Sequence, residues 1–129
     1  MSQHASPADH QVISRGQWNK DASKEDIQIA IDQIYEWLNR SIDQGQMRMG
    51  SRLARAGVTV SRTGVVMDGP FGEVKEVIGG YWFIVASSLE EAARLAEENP
   101  CLKYGIFCEI RPTDPETASA FKLSTETPR

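Results

Sequence analysis

The run from Tyr81 to Ala86 reads Tyr, Trp, Phe, Ile, Val, Ala without a polar break, and Gly79 and Gly80 stand directly before it. Aromatic and β-branched residues at this density over so short a length predict a strand. Side chains alternate along a strand, so Tyr81, Phe83 and Val85 point one way and Trp82, Ile84 and Ala86 the other. A strand that is apolar on both sides needs a cover on both, which makes this one the central strand of its sheet.

The neighbouring segments supply the first cover. Gln11 to Arg15 favours β structure, and Ser23 with Asp26 three positions on is a helix start signal. Ile27, Ile31, Ile34, Leu38 and Ile42 then recur at helical spacing and predict an amphipathic helix from about Lys24 to Gln44, ending at Gly45. Met47 to Leu53 reads as a strand with Met47 and Met49 as core residues, and Val58 to Ser61 with Val65 to Met67 as a hairpin turning through Arg62, Thr63 and Gly64. Gly69, Pro70 and Gly72 punctuate a loop. Ser88 and Glu91 form a capping box for a second helix whose Leu89, Ala92, Ala93 and Ala96 share a face, stopped by Asn99 and Pro100. Gly105 to Arg111 is the last strand, closed by Pro112.

The order strand, helix, strand, inserted hairpin, strand, helix, strand is the split βαβ plan of an α+β ferredoxin-like domain, with both helices on one face of the sheet. In the last strand Ile106, Cys108 and Ile110 suit the helix side, leaving Phe107, Glu109 and Arg111 opposite. The second face is then an apolar patch of the kind that marks an interface. Sheet-to-sheet homodimerisation, with a cleft in or beside the interface, is the simplest cover. The alternative is that the hairpin and the C-terminal tail fold back over that face within one chain.

A chain of 129 residues fits one domain with one core. The expected organisation is a polar tail over residues 1–9, the domain over 10–112, and a second polar tail over 113–129. A net charge of -4 and a pI near 5.2, with scattered basic residues, argue against a nucleic-acid partner. No apolar run approaches the ~20 residues of a membrane span, and a signal-peptide pattern is lacking, so no membrane partner and a cytoplasmic location are expected. Cys101 and Cys108 lack metal-ligand or CxxC spacing and read as buried thiols; no metal or other cofactor is implied.

From Met67 the chain continues Asp68, Gly69, Pro70, Phe71, Gly72, Glu73, then Lys75, Glu76, Gly79, Gly80 and Tyr81. With Leu89 to Ala96, Pro100, Tyr104, Gly105, Glu109, Arg111 and Pro112, this resembles the DGPF branch of the YCII-related family over roughly residues 10 to 112. The resemblance implies a ferredoxin-like fold paired into a dimeric α+β barrel. It also implies relatives that are small enzymes acting on aromatic ring compounds, and DGPF members encoded beside extracytoplasmic-function sigma factors. In the YCII branch a His near the start of the first helix pairs with an Asp in what looks like a catalytic dyad. This chain departs there, since its histidines, His4 and His10, both precede the first helix.

Each candidate residue has a structural and a functional reading. Asp68 to Phe71 makes a tight turn, or sets Asp68 as a carboxylate at the mouth of a cleft with Phe71 as an apolar wall. Lys75 and Glu76 make a surface ion pair, or Lys75 joins the ligand site. Gly79 and Gly80 allow close backbone approach or a bulge. Glu109 and Arg111 pair with each other, with Arg15, or across the dimer; unpaired, Arg111 would attract an anion. Tyr81, Trp82, Phe83 and Tyr104 read as core aromatics, Tyr81 also as a ligand contact; Trp18 caps the core or lines a pocket, and His10 reads as an exposed terminal histidine, or as a base where the N-terminus folds over the cleft.

Three functions follow. The first is a dimer binding a small polar or anionic molecule, with a regulatory role linked to a sigma factor. The second is a cofactor-free isomerase or lyase with Asp68 or Glu109 as base, which requires a tuned pKa. The third is a protein interaction module working through its tails.

Overall fold

A computed structural model describes residues 6–66 and 77–128. In chain order the elements are β1 (Ala8–Arg15), α1 (Lys24–Asp43), β2 (Met47–Arg52), β3 (Thr59–Ser61), β4 (Gly64–Val66), β5 (Ile78–Ala86), α2 (Leu89–Ala96), a 3-10 turn (Pro100–Tyr104) and β6 (Phe107–Pro112). Local chemistry explains the boundaries. The Ser23 hydroxyl accepts from the Asp26 N–H at 3.0 Å and the Ser88 hydroxyl from the Glu91 N–H at 3.1 Å, so each helix starts on a side-chain cap. Asn99 caps the 3-10 turn by accepting from the Cys101 N–H at 2.8 Å. The turn ends at Gly105, whose φ of 103° and close neighbours, Gln17 O and Asn19 Oδ1, leave no room for a Cβ.

Four strands form one sheet in the order β2-β5-β1-β6, and every neighbouring pair is antiparallel. This is the α+β ferredoxin-like arrangement, with the β3-β4 hairpin as a separate ribbon between β2 and β5 in the chain. The expected second hairpin strand reached Met67, which lies outside the described residues.

The core lies between the helices and one sheet face. Gly80, Trp82, Ile84 and Ala86 are buried on β5, while Tyr81, Phe83 and Val85 are half-buried on the other side, as the alternation predicts. Val12, Ile84 and Met47 are the largest fully buried side chains, each contributing roughly 1.5–3 kcal/mol by leaving water. Trp37 of α1 meets Trp82 edge-on, with ring centroids 6.3 Å apart. On α2, buried Ala92 and Ala96 let the helix lie close on β5 and β6.

Three expectations need correction. Met49 is 54% exposed: it sits where the β2-β5 register shifts between Arg48 and Ser51 and lines an open hollow there instead of a closed core. His10 is buried: β1 begins at Ala8, inside the stretch read as a tail, and places His10 beside Val12 on the helix side with Nδ1 3.0 Å from the Ala8 carbonyl. The C-terminal segment reaches the open sheet face through the Thr125 hydroxyl, which accepts from Arg111, but its apolar side chains do not cover that face. Phe121 and Leu123 of the C-terminal segment are 98% and 90% exposed, and Val60 and Val65 of the hairpin also face water. That segment instead begins by extending the sheet, Thr113 donating to the Asp9 carbonyl through both N–H and hydroxyl.

Candidate functional site

Antiparallel pairing of β1 and β6 sets Ile13 opposite Glu109 and Gln11 opposite Arg111, so the charged residues of both strands emerge together on the open face. Arg15 Nε donates to Glu109 Oε1 at 2.7 Å, and Arg111 Nη1 donates to Oε2 at 3.3 Å. Arg111 Nη2 also donates to the Thr125 hydroxyl at 3.1 Å. Glu109 is therefore shared by two guanidiniums, and hydrogen bonding from Arg15, its largest influence, holds its carboxyl below the ordinary value. A carboxylate so held is a weak base at neutral pH, and the condition of an unpaired Arg111 is not met.

At the other end of the same face Arg48 is ion-paired with Asp9 and lies 5.1 Å above the Phe83 ring, which Tyr81 meets edge-on. Aromatic surface thus lies among ion pairs. Of the remaining sequence candidates, Asp68, Phe71 and Lys75 lie outside the described residues.

A cavity of about 240 Å³ opens on the helix side, away from this cluster. Its origin is a pair of irregularities. The β1-β5 register shifts between Ser14 and Arg15, leaving Gly79 as the extra residue, and the β2-β5 register shifts at Met49 and Gly50. The predicted bulge at the glycines is present. Gly50 is obligatory there: a Cβ would sit 2.7 Å from the Tyr81 carbonyl carbon and 2.8 Å from Cδ2 of its ring. The bulged end of the sheet splays beneath α1, whose Ile31, Ile34, Tyr35 and Leu38 form the roof. Ser14, Gly50, Gly79 and Trp82 form the floor, and Trp18 lines it from the connection before α1, one of the two roles its position suggested.

Most of this surface is apolar. Trp82 is 6% exposed, and its indole N–H has no hydrogen-bond partner among the described residues. The nitrogen itself is closed to solvent, so this unpaired donor is a local cost of about 1–3 kcal/mol and not a contact that the cavity offers. Arg52, at the end of β2, stands exposed on the cavity rim and makes no ion pair among the described residues. Cys101 also lines the cavity, but burial pushes its thiol up to about 11, and Sγ points to the Ala30 carbonyl at 3.8 Å. Thiolate chemistry is thereby suppressed.

Sequence reasoning offered Trp18 as a pocket residue and Tyr81 as a ligand contact, and both line the cavity, but it read Trp82 as core and took the open face as the site. It missed Ser14, Tyr35, Gly50 and Arg52, because nothing in the local pattern shows where two bulges coincide. The available signal was the glycine pair Gly79 and Gly80 at the entrance of the strand, where a bulge was expected. Among the described residues there is no cluster of His, Cys, Asp and Glu fit for a metal, and no helix is long and apolar enough to cross a membrane.

Among curated proteins none matches this chain. The family model for the YCII-related domain matches residues 17–114, from the connection before α1 to just past β6, and so takes in the α1 roof and the bulged parts of β2 and β5, while β1 lies before it. The chain belongs to the YCII-related domain family.

Proposed function

We propose that this domain binds a small molecule in the cavity between α1 and the bulged end of the sheet, and that it does so as a homodimer whose subunits meet through the open sheet faces. The observation that carries the first part is a preformed, largely apolar cavity of about 240 Å³ where two register shifts of the sheet coincide beneath α1. A few convergent polar groups in an apolar hollow are the usual composition of a ligand site. The second part is supported by half-buried Tyr81, Phe83 and Val85 and by Phe107, 45% exposed, on a face that no helix covers. A regulatory role tied to a sigma factor rests on the family resemblance.

Binding is preferred over catalysis because Glu109, the described candidate base, is neutralised by two arginines. The test is a thermal-shift screen of small apolar compounds against the native chain and the cavity-filling variant Ile34→Trp. Compounds that raise the native Tm and leave the variant unmoved support the site; equal shifts in both refute it. Sedimentation of the native chain and of Phe83→Glu tests the pairing, and a native monomer would overturn it.

A further inference from the structure

Resting on the reading of a homodimer that meets through its open sheet faces, we propose that the C-terminal segment, residues 114–128, is an exchanged arm. In the pair, each copy lays Phe121 and Leu123 of its own arm on the open face of the second copy. Three observations converge on this: how the segment is shaped, where it is tethered, and how much area a stable pair needs.

The segment is shaped by its own polar groups. The Asp114 carboxylate accepts from the Glu116 N–H at 2.9 Å, the Ser119 hydroxyl from the Phe121 N–H at 3.2 Å, and the Thr127 hydroxyl from the Ser124 N–H at 2.9 Å. Lys122 is ion-paired with Glu116. Such bonds fix turns, so Phe121 and Leu123 are carried on a folded segment. Both nevertheless stand in water, 98% and 90% exposed, the highest values for large apolar side chains among the described residues. That is unfavourable unless another surface meets them.

The tethers say which surface. Thr113 donates to the Asp9 carbonyl just before the segment, and Thr125 accepts from Arg111 near its end. Asp9 and Arg111 belong to β1 and β6, and the Arg111 side chain stands on the open face. Phe121 and Leu123 therefore lie between two anchors at the border of the face that meets the second copy, while their own face stays uncovered by them.

Area gives the reason for an arm. Four strands about 4.8 Å apart, with about six residues each, span roughly 400 Å² in plan. Part of that is taken by the ion pairs of Glu109 and Asp9. Stable association typically buries about 800 Å² per partner, and one phenylalanine contributes ~150–250 Å². Two arms, each also covering the surface it lands on, supply area that the faces lack. Exchange of an identical element between two copies closes the assembly at a pair.

The experiment uses the full chain. Sedimentation equilibrium measures the dimer Kd of the native chain and of the double variant Phe121→Ala, Leu123→Ala. A single chain leaves both side chains in water, so the variant spares its fold, which circular dichroism checks. The expected result is a native dimer and a variant whose Kd is weaker by about a hundredfold. A second readout uses a dimer refolded from equal parts of ¹³C-labelled and unlabelled chain, in which isotope-filtered NOEs should join the Phe121 ring to open-face residues of the other copy. An unchanged Kd, or a Phe121 ring without NOEs to the other copy, overturns the exchange and leaves the pairing of faces standing. A native chain that sediments as a monomer overturns both.

Discussion

Replacing Gly50 by alanine tests whether the bulge on β2 is as tight as its geometry implies. The new Cβ would meet the Tyr81 backbone and ring at 2.7 and 2.8 Å, well inside ordinary carbon contact, and neither wall is the free end of a flexible side chain. Relief requires β2 to retreat from β5. The pairings of Ser51 with Tyr81 and of Arg52 with Gly80 would loosen, together with the Leu53 N–H to Gly79 carbonyl bond of 2.9 Å. At about 0.5–1.5 kcal/mol for each backbone bond, the expected loss is about 2–4 kcal/mol, a large part of a typical stability of 5–15 kcal/mol. The assay is urea unfolding at matched protein concentration, because association changes apparent stability. Gly79→Ala is the control: the nearest atom to its Cβ is Ser14 Oγ at 4.0 Å, so its stability should stay within about 0.5 kcal/mol of the native chain. If Gly50→Ala also stays within that margin, or if the two variants are equally damaged, the argument from close approach is wrong.

Two further predictions follow from the charges and thiols. Because the Glu109 pKa is depressed on folding, its contribution is present above the ordinary value of 4.5 and is lost as pH falls through the lower folded value. The stability difference between native and Glu109→Gln chains should therefore be constant above that value and vanish below it; a difference that persists in acid would show that the ion pairs are not its source. Cys101, buried and pushed up to about 11, should resist a thiol reagent at pH 8 in the native state and react once urea unfolds the chain. Fast native labelling, assigned by peptide mass, would contradict the packing.

Periodicity located the helices and strands but not the 3-10 turn, because each of them depends on a local pattern that survives in the sequence: the Ile spacing of α1, the Ser23 and Ser88 caps, and the two-faced β5. What the pattern could not show was long-range. His10 reads as terminal until β1 pairs with β5 and β6, and Met49 reads as core until the register shift beside it leaves it on the wall of an open hollow. The site was hidden for the same reason. Ser14, Gly50, Gly79 and Tyr35 share no local motif, and only the coincidence of two register shifts under α1 brings them together. The Arg15, Glu109 and Arg111 group was legible as charges on one face, and its internal pairing was one of the outcomes expected for it.

Strand β1 lies between β5 and β6, with Val12 opposite Trp82 on one side and Ile110 on the other. On a ribosome the first strand to emerge therefore waits, unpaired, until both of its neighbours have been made. Loop closure over such separations slows folding relative to locally wired folds of equal size. During that wait α1 can form but has no complete sheet to bury its apolar stripe, and Val12, Ile13 and their neighbours remain available to chaperones or to another nascent chain. Mutations in β1 should accordingly lower yield in the cell more than their effect on equilibrium stability would suggest.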